Sequence, residues 1–169
     1  SGYTTVRNAT EMRYPWKATI ESMLGFCDEV IVVDGGSSDG TWEDLQAMSK
    51  LQEDGRLKVY QNPVDTESPS FAYESDGKLK ACARELCTLE YCWQMDADEV
   101  VHEEDYPKIQ NLLRSFPRYT DIVSLPVIEY WGSSKKVRMD INPWKWRVSR
   151  NLPEITQGIP AGLLKVDEE

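Results

Sequence analysis

YCWQMDADEVV, residues 91–101, joins a short apolar run to two aspartates one residue apart, Asp96 and Asp98. The apolar half predicts a strand over 91–95, and past a strand end the backbone is free to bend. Both carboxylates can then turn toward one point. Anionic oxygens converging in this way suit a hard divalent cation that keeps some of its waters and holds a phosphate. Such a cation needs a nucleotide pocket, a sheet to carry it and an acceptor side.

Upstream, EVIVVD (29–34) is a β-branched run of the kind buried on both faces of a parallel sheet. GGSSDG (35–40) is a tight loop leading into a helix over 41–51. There Trp42, Leu45 and Met48 share a face, and Thr41 and Asp44 stand at capping-box spacing. Working outward, the pattern predicts a strand over 3–6 closed by Arg7-Asn8. A helix starting at Pro15 follows, with Ile20, Met23 and Leu24 inward and Gly25 ending it. Residues 57–61 read as a strand stopped by Pro63, and 62–75 as a loop. Asp76 caps a helix over 77–89 with Leu79, Ala83 and Leu86 inward. A further helix covers 106–114 with Ile109, Leu112 and Leu113 inward.

The order is β-α-β-α-β-α-β-α, which predicts an α/β fold, a mostly parallel, doubly wound, Rossmann-like sheet with right-handed crossovers. Ligands bind such sheets beyond the carboxyl ends of the strands. Arg7, Asp34 and Asp96 all fall at that edge. The last third differs: a strand over 122–131 broken by Pro126, a turn over 132–136, and short antiparallel strands over 137–141 and 145–149. Tyr130, Trp131, Trp144 and Trp146 concentrate there, as a stacking platform or as core and subunit packing.

The 169 residues suit one domain over 1–169. A net charge of −10 leaves no basic face for a nucleic-acid backbone, so nucleic acid is not expected as a partner. Cys27, Cys82, Cys87 and Cys92 form no CxxC pair and read as buried reduced thiols, which points to a reducing, cytoplasmic setting. No apolar run approaches the ~20 residues of a membrane helix, and no signal peptide is visible. The chain opens on Ser1-Gly2 without an initiator methionine, as a trimmed chain would. His102 is the single histidine, which excludes a His-rich zinc site and weighs against a Ser–His triad. It reads as polar surface, with a third metal ligand as the sharper option. No Walker lysine follows the Gly-Ser loop, which rejects a P-loop.

EVIVVDGGSSDGT (29–41) paired with WQMDADE (93–99) resembles the nucleotide-binding half of family 2 glycosyltransferases with the GT-A fold. KLKACAREL (78–86) and the opening TTVRNATEMRYPWKATIESML (4–24) are similar to the same group. The resemblance covers about residues 3–105, leaving 106–169 as an acceptor-side part. It implies transfer of a sugar from a nucleotide-sugar donor to a carbohydrate or other hydroxyl acceptor, with inversion. It implies that Val6 and Arg7 line the base pocket and that Asp34 contacts the base or ribose. Asp96 would contact ribose or the metal, Asp98 would bind manganese or magnesium, and Lys80 would stand near the diphosphate. Gly35 departs from the pattern, because many members carry a second aspartate there.

This chemistry needs a cation against the departing diphosphate and a carboxylate to take the acceptor proton. Glu129 and Asp140 are the candidate bases. Two other classes compete. Asp96-Ala-Asp98-Glu99-Val100 also fits a haloacid-dehalogenase-like phosphohydrolase, with Asp96 as nucleophile. A non-catalytic nucleotide-sugar-binding fragment is the third reading, and homo-oligomerisation is a further option for the aromatic third.

Overall fold

The structure is a computed structural model describing residues 1–68, 71–158 and 163–166. Four parallel strands alternate with helices: β1 (Gly2–Val6), α1 (Trp16–Leu24), β2 (Val30–Asp34), α2 (Thr41–Leu51), β3 (Leu57–Gln61), α3 (Phe71–Glu85) and β4 (Tyr91–Gln94). A 3-10 turn (Glu103–Asp105) leads into α4 (Tyr106–Arg114), then β5 (Ile122–Pro126) and β6 (Trp144–Arg150). The sheet order is β3-β2-β1-β4-β6-β5, and β6 runs antiparallel to both its neighbours. The fold is thus mixed α/β with a mostly parallel sheet and an antiparallel C-terminal part.

The β-branched run explains why helices cover both faces. Val30 and Val32 point into a core with Ile20, Met23, Leu45 and Ile109, from α1, α2 and α4. Ile31 and Val33 point the other way, onto Leu79 and Ala83 of α3. All four residues are fully buried. A strand with no polar face is stable only when both faces are covered. The crossovers therefore leave the carboxyl ends of β1, β2 and β4 together at one edge.

Several local expectations are corrected. Helix α3 begins at Phe71, so the segment 71–75 is helical where a loop was expected. Asp76 lies inside the helix and pairs with Lys80 at 2.8 Å one turn on, instead of capping it. The Arg7 guanidinium sits 5.4 Å from the Phe71 ring centre, a tertiary contact that holds the extra turns. Helix α2 is headed by Gly40, with Thr41 its first residue; Asp39 accepts the Thr41 N–H, and Asp44 pairs with Lys17. Strand β5 stops at Pro126, whose ring nitrogen cannot serve a ladder. Residues 137–141 form no strand. A single Tyr130–Val137 bridge and backbone bonds such as Arg138 N–H to Glu129 O hold the two returning segments together as an arm. A second sheet, β7 (Ile155–Gly158) with β8 (Leu163–Val166), had no sequence forecast.

The four cysteines are free thiols, three buried and Cys82 half-buried. Among the described residues no helix is long and apolar enough to cross a membrane.

Candidate functional site

At the carboxyl edge of the sheet lies a cleft of about 420 Å³. One wall is Val6 and Arg7, where β1 ends. The second is α3, with Phe71 and Lys80. The third is the turn after β4, with Asp96 and Asp98. Val6, Arg7, Lys80, Asp96 and Asp98 are thus brought together from three separated stretches of chain.

Asp96 is the hub of the charge arrangement. Lys80 Nζ lies 2.7 Å from its Oδ1, and Arg147 Nη2 lies 3.4 Å from its Oδ2. Gln94 Nε2 donates to the same carboxylate at 2.9 Å. Burial disfavours the charged carboxylate, but Lys80 and Arg147 outweigh it and hold the Asp96 pKa below its usual value. Burial likewise works against the Lys80 ammonium, yet Asp96 and Asp76 prevail and raise its pKa. Glu99 goes the other way: burial dominates and raises its pKa despite the Arg147 ion pair.

Arg147 was not anticipated. It enters from β6, one step beyond the Trp93–Val148 pair, and is 8% exposed. Its guanidinium donates to Gln94 Oε1 and to Glu99. The sequence signal was faint, a basic residue alternating with tryptophans in WKWRVSR, and only the antiparallel pairing with β4 reveals its target.

Asp98 contrasts with Asp96. It is exposed at the cleft and makes no ion pair with the described residues. Among the described residues no three His, Cys, Asp or Glu side chains are gathered as a ready-made metal cage. Two carboxylates on one turn still match a cation of the magnesium or manganese type, which takes one or two carboxylates and completes its shell with phosphate oxygens and water. Asp98 is the better placed of the two, because both Asp96 oxygens already face cationic groups.

Asp34 stands at the same edge but outside the cleft lining. It is fully buried, and its carboxylate accepts the Gly36 and Ser37 N–H groups at 3.0 and 2.9 Å and Gln61 Nε2 at 3.0 Å. The Ser37 hydroxyl donates to its other oxygen. It shapes the Gly-Ser loop, which in turn braces the lip after β1. Asn8 N–H donates to Ser37 Oγ at 2.8 Å, Ser38 N–H to Asn8 Oδ1 at 2.9 Å, and Glu11 N–H to Asp39 at 2.8 Å.

Glu129 and Asp140 are not among the cleft-lining residues; both flank Arg138 in the arm, at 3.7 and 3.0 Å. The bond from Arg138 lowers the Asp140 pKa. Trp131, Trp144 and Trp146 are exposed, which removes the core-packing reading for them. His102 caps the 3-10 turn by accepting the Glu104 N–H at 3.2 Å.

Comparison with known proteins places these features in context. The family model described as "Glycosyl transferase family 2" matches residues 17–160. No curated protein matches the chain. Among solved structures, S. aureus TarS superposes with a TM-score of 0.60 at 18% identity, over 89% of this chain and 28% of its own. S. aureus TarS 1-349 in complex with UDP gives 0.58 at 19% identity, over 89% of this chain and 46% of its own. The mannosyltransferase PcManGT from Pyrobaculum calidifontis, in complex with GDP-Man and Mn2+, gives 0.57 at 16% identity, over 75% and 34%. The chain therefore spans less than half the length of each of these structures.

Proposed function

The chain belongs to glycosyl transferase family 2, and from that membership we propose that its cleft binds a nucleotide-sugar and that the protein transfers the sugar, with inversion and with a divalent cation, to an acceptor hydroxyl. The observation that carries this reading is the meeting of Arg7, Lys80 and the Asp96/Asp98 turn around one cleft at the carboxyl edge. The solved structures with UDP and with GDP-Man and Mn2+ share the fold and lend it support. The whole chain is proposed to act as one domain, with residues 3–105 on the donor side and 106–169 on the acceptor side.

The residues divide the work by charge. Val6 and Arg7 form the base-side wall, where the guanidinium and the Phe71 ring offer a stacking surface. Asp34 builds the loop that fixes this lip and acts on the nucleotide through it. Asp98 is the leading ligand for manganese or magnesium, with Asp96 beside it toward the ribose. A bound cation of this kind neutralises charge growing on the departing diphosphate. Lys80, fixed between Asp76 and Asp96, adds a preorganised positive charge at the same place. As the acceptor oxygen bonds to the anomeric carbon, the sugar–diphosphate bond breaks and the acceptor proton passes to a carboxylate. Glu129 and Asp140 both stay as the candidate bases, each paired with Arg138, whose bond lowers the Asp140 pKa. The phosphohydrolase reading loses ground: its nucleophile would be Asp96, whose two oxygens are engaged by Lys80 and Arg147.

Calorimetric titration with UDP and GDP, in manganese and then in EDTA, tests the reading. Binding at least about tenfold tighter with manganese is expected for one nucleotide, and Asp98→Ala should remove the difference. Equal affinities in the two buffers would count against the metal, and no binding of either nucleotide would count against the cleft.

A further inference from the structure

Beyond the cleft, the arm that follows β5 exposes an unusual set of side chains. Ile128, Tyr130, Trp131, Val137, Met139 and Trp144 are between 47% and 88% exposed. They are neighbours in space: Tyr130 bridges Val137, the Trp131 N–H donates to Lys136 O, and Val127 N–H donates to Pro143 O. The Arg138 guanidinium lies 5.4 Å from the Trp131 ring centre. Trp131, Val137 and Met139 line one shallow concavity of the arm, and an exposed apolar surface of this kind marks something it docks against.

Charge narrows the occupant. The chain carries −10 overall, yet residues 127–146 hold Lys135, Lys136, Arg138 and Lys145 against Glu129 and Asp140. Both acids are engaged by Arg138. Lys135 and Lys136 are exposed and Lys145 is half-buried, and none of the three makes an ion pair with the described residues. A second copy docking the same patch on itself would set these lysines against one another. A glycan would use the aromatic rings but gains little from Ile128, Val137 and Met139. Aliphatic tips, interfacial tryptophans and flanking lysines together suit the boundary of an anionic bilayer. The acidic remainder of the chain is screened beyond roughly a Debye length, about 8 Å at physiological salt, so the local charge decides.

Position gives the docking a consequence. β6 is antiparallel to β4, so its leading residues, Trp144 and Trp146, lie past the carboxyl end of β4, on the edge that carries Asp96. We infer that the 128–146 arm is a peripheral docking surface for an anionic lipid bilayer and that it holds the nucleotide cleft at the membrane face. The docking itself does not depend on the proposed transfer reaction; only the consequence for the cleft rests on that reading.

Co-sedimentation of the full chain with phosphatidylcholine vesicles, and with the same vesicles containing phosphatidylserine, tests this without any transfer assay. Binding to the anionic vesicles is expected, with a blue shift in tryptophan emission and loss of binding in high salt. Lys135→Glu with Lys136→Glu should lower the partition at least about tenfold. Trp131→Ala with Met139→Ala should lower it to a similar degree while leaving the circular-dichroism melting curve in place, since both side chains are exposed. Failure of the folded chain to sediment with anionic vesicles would overturn the inference. So would binding unchanged by both double variants, or a concentration-dependent dimer abolished by Trp131→Ala. Nucleotide titration of the same preparations reports on the cleft separately, so the two readings fail independently.

Discussion

Arg147 shows how one residue can tie two halves of a fold. Its buried guanidinium serves Asp96, Glu99 and Gln94, and no other described cation reaches Glu99. Arg147→Met should therefore leave buried carboxylate charge uncompensated and cost about 3–5 kcal/mol, read as a lower urea midpoint. Arg147→Lys should restore only part of this, because a point charge cannot span both carboxylates as the planar fork does. Asp96 adds a pH signature. Its folded pKa is depressed, so its contribution is present above the unfolded value and is lost as pH falls through the folded one. In Lys80→Met the leading cause of that depression is gone, and loss on acidification should begin at higher pH. Thermal melts of both proteins between pH 3 and 6 check this. Asp96 and Asp98 were legible as an acidic pair just past a strand end, whereas Lys80, inside α3, came only from the family resemblance. Arg147 was not, because its partner lies about fifty residues away across an antiparallel pair.

Elements meet at positions that side-chain size decides. Gly25 ends α1, and a Cβ built there would lie 2.3 Å from the Tyr106 ring at the head of α4. Gly25→Ala must displace that ring, which also packs on Phe26 with centroids 5.4 Å apart. An expected loss of about 1–3 kcal/mol would appear as a lower melting temperature. Gly25 was read from sequence as a helix stop, which it is; the close approach of α4 could not be read from local pattern. The same limit explains α3. Its first turn, Phe71-Ala72-Tyr73-Glu74, follows a polar, proline-bearing stretch, and the Arg7 guanidinium over Phe71 ties that start to the lip after β1. In β5 the proline was seen, but the arm beyond it depends on a few cross-chain backbone bonds that leave no periodicity.

At the scale of the molecule, the β-α alternation and the doubly buried β2 run were enough for the sheet, because that pattern has few stable solutions. The β7–β8 hairpin was not legible. It depends partly on buried Arg84, whose guanidinium donates to Ile155 O at 3.0 Å and Arg150 O at 2.7 Å. Glu29 ties the parallel strands together at their amino ends, away from the cleft, accepting from Lys58 at 2.6 Å and from Thr88 Oγ1 at 2.9 Å. Burial opposes its charge, but the bonds from Lys58, Ser1 and Thr88 hold its pKa at about 2. That stability is present above the unfolded pKa of about 4.3 and is lost as pH falls toward 2. Glu29→Gln should remove about 1–2 kcal/mol at neutral pH, the half-exposed Lys58 being screened by water. Its stability should then vary less between pH 5 and 2.

The central claim is that three separated stretches converge to hold a nucleoside diphosphate and its cation at one edge of the sheet. The most direct measurement is anomalous diffraction at the manganese edge from crystals grown with the nucleotide that binds tighter and manganese. A peak within coordinating distance of the Asp98 carboxylate, with diphosphate density reaching toward Lys80, is the predicted result. A manganese peak and nucleotide density away from that cleft would contradict it.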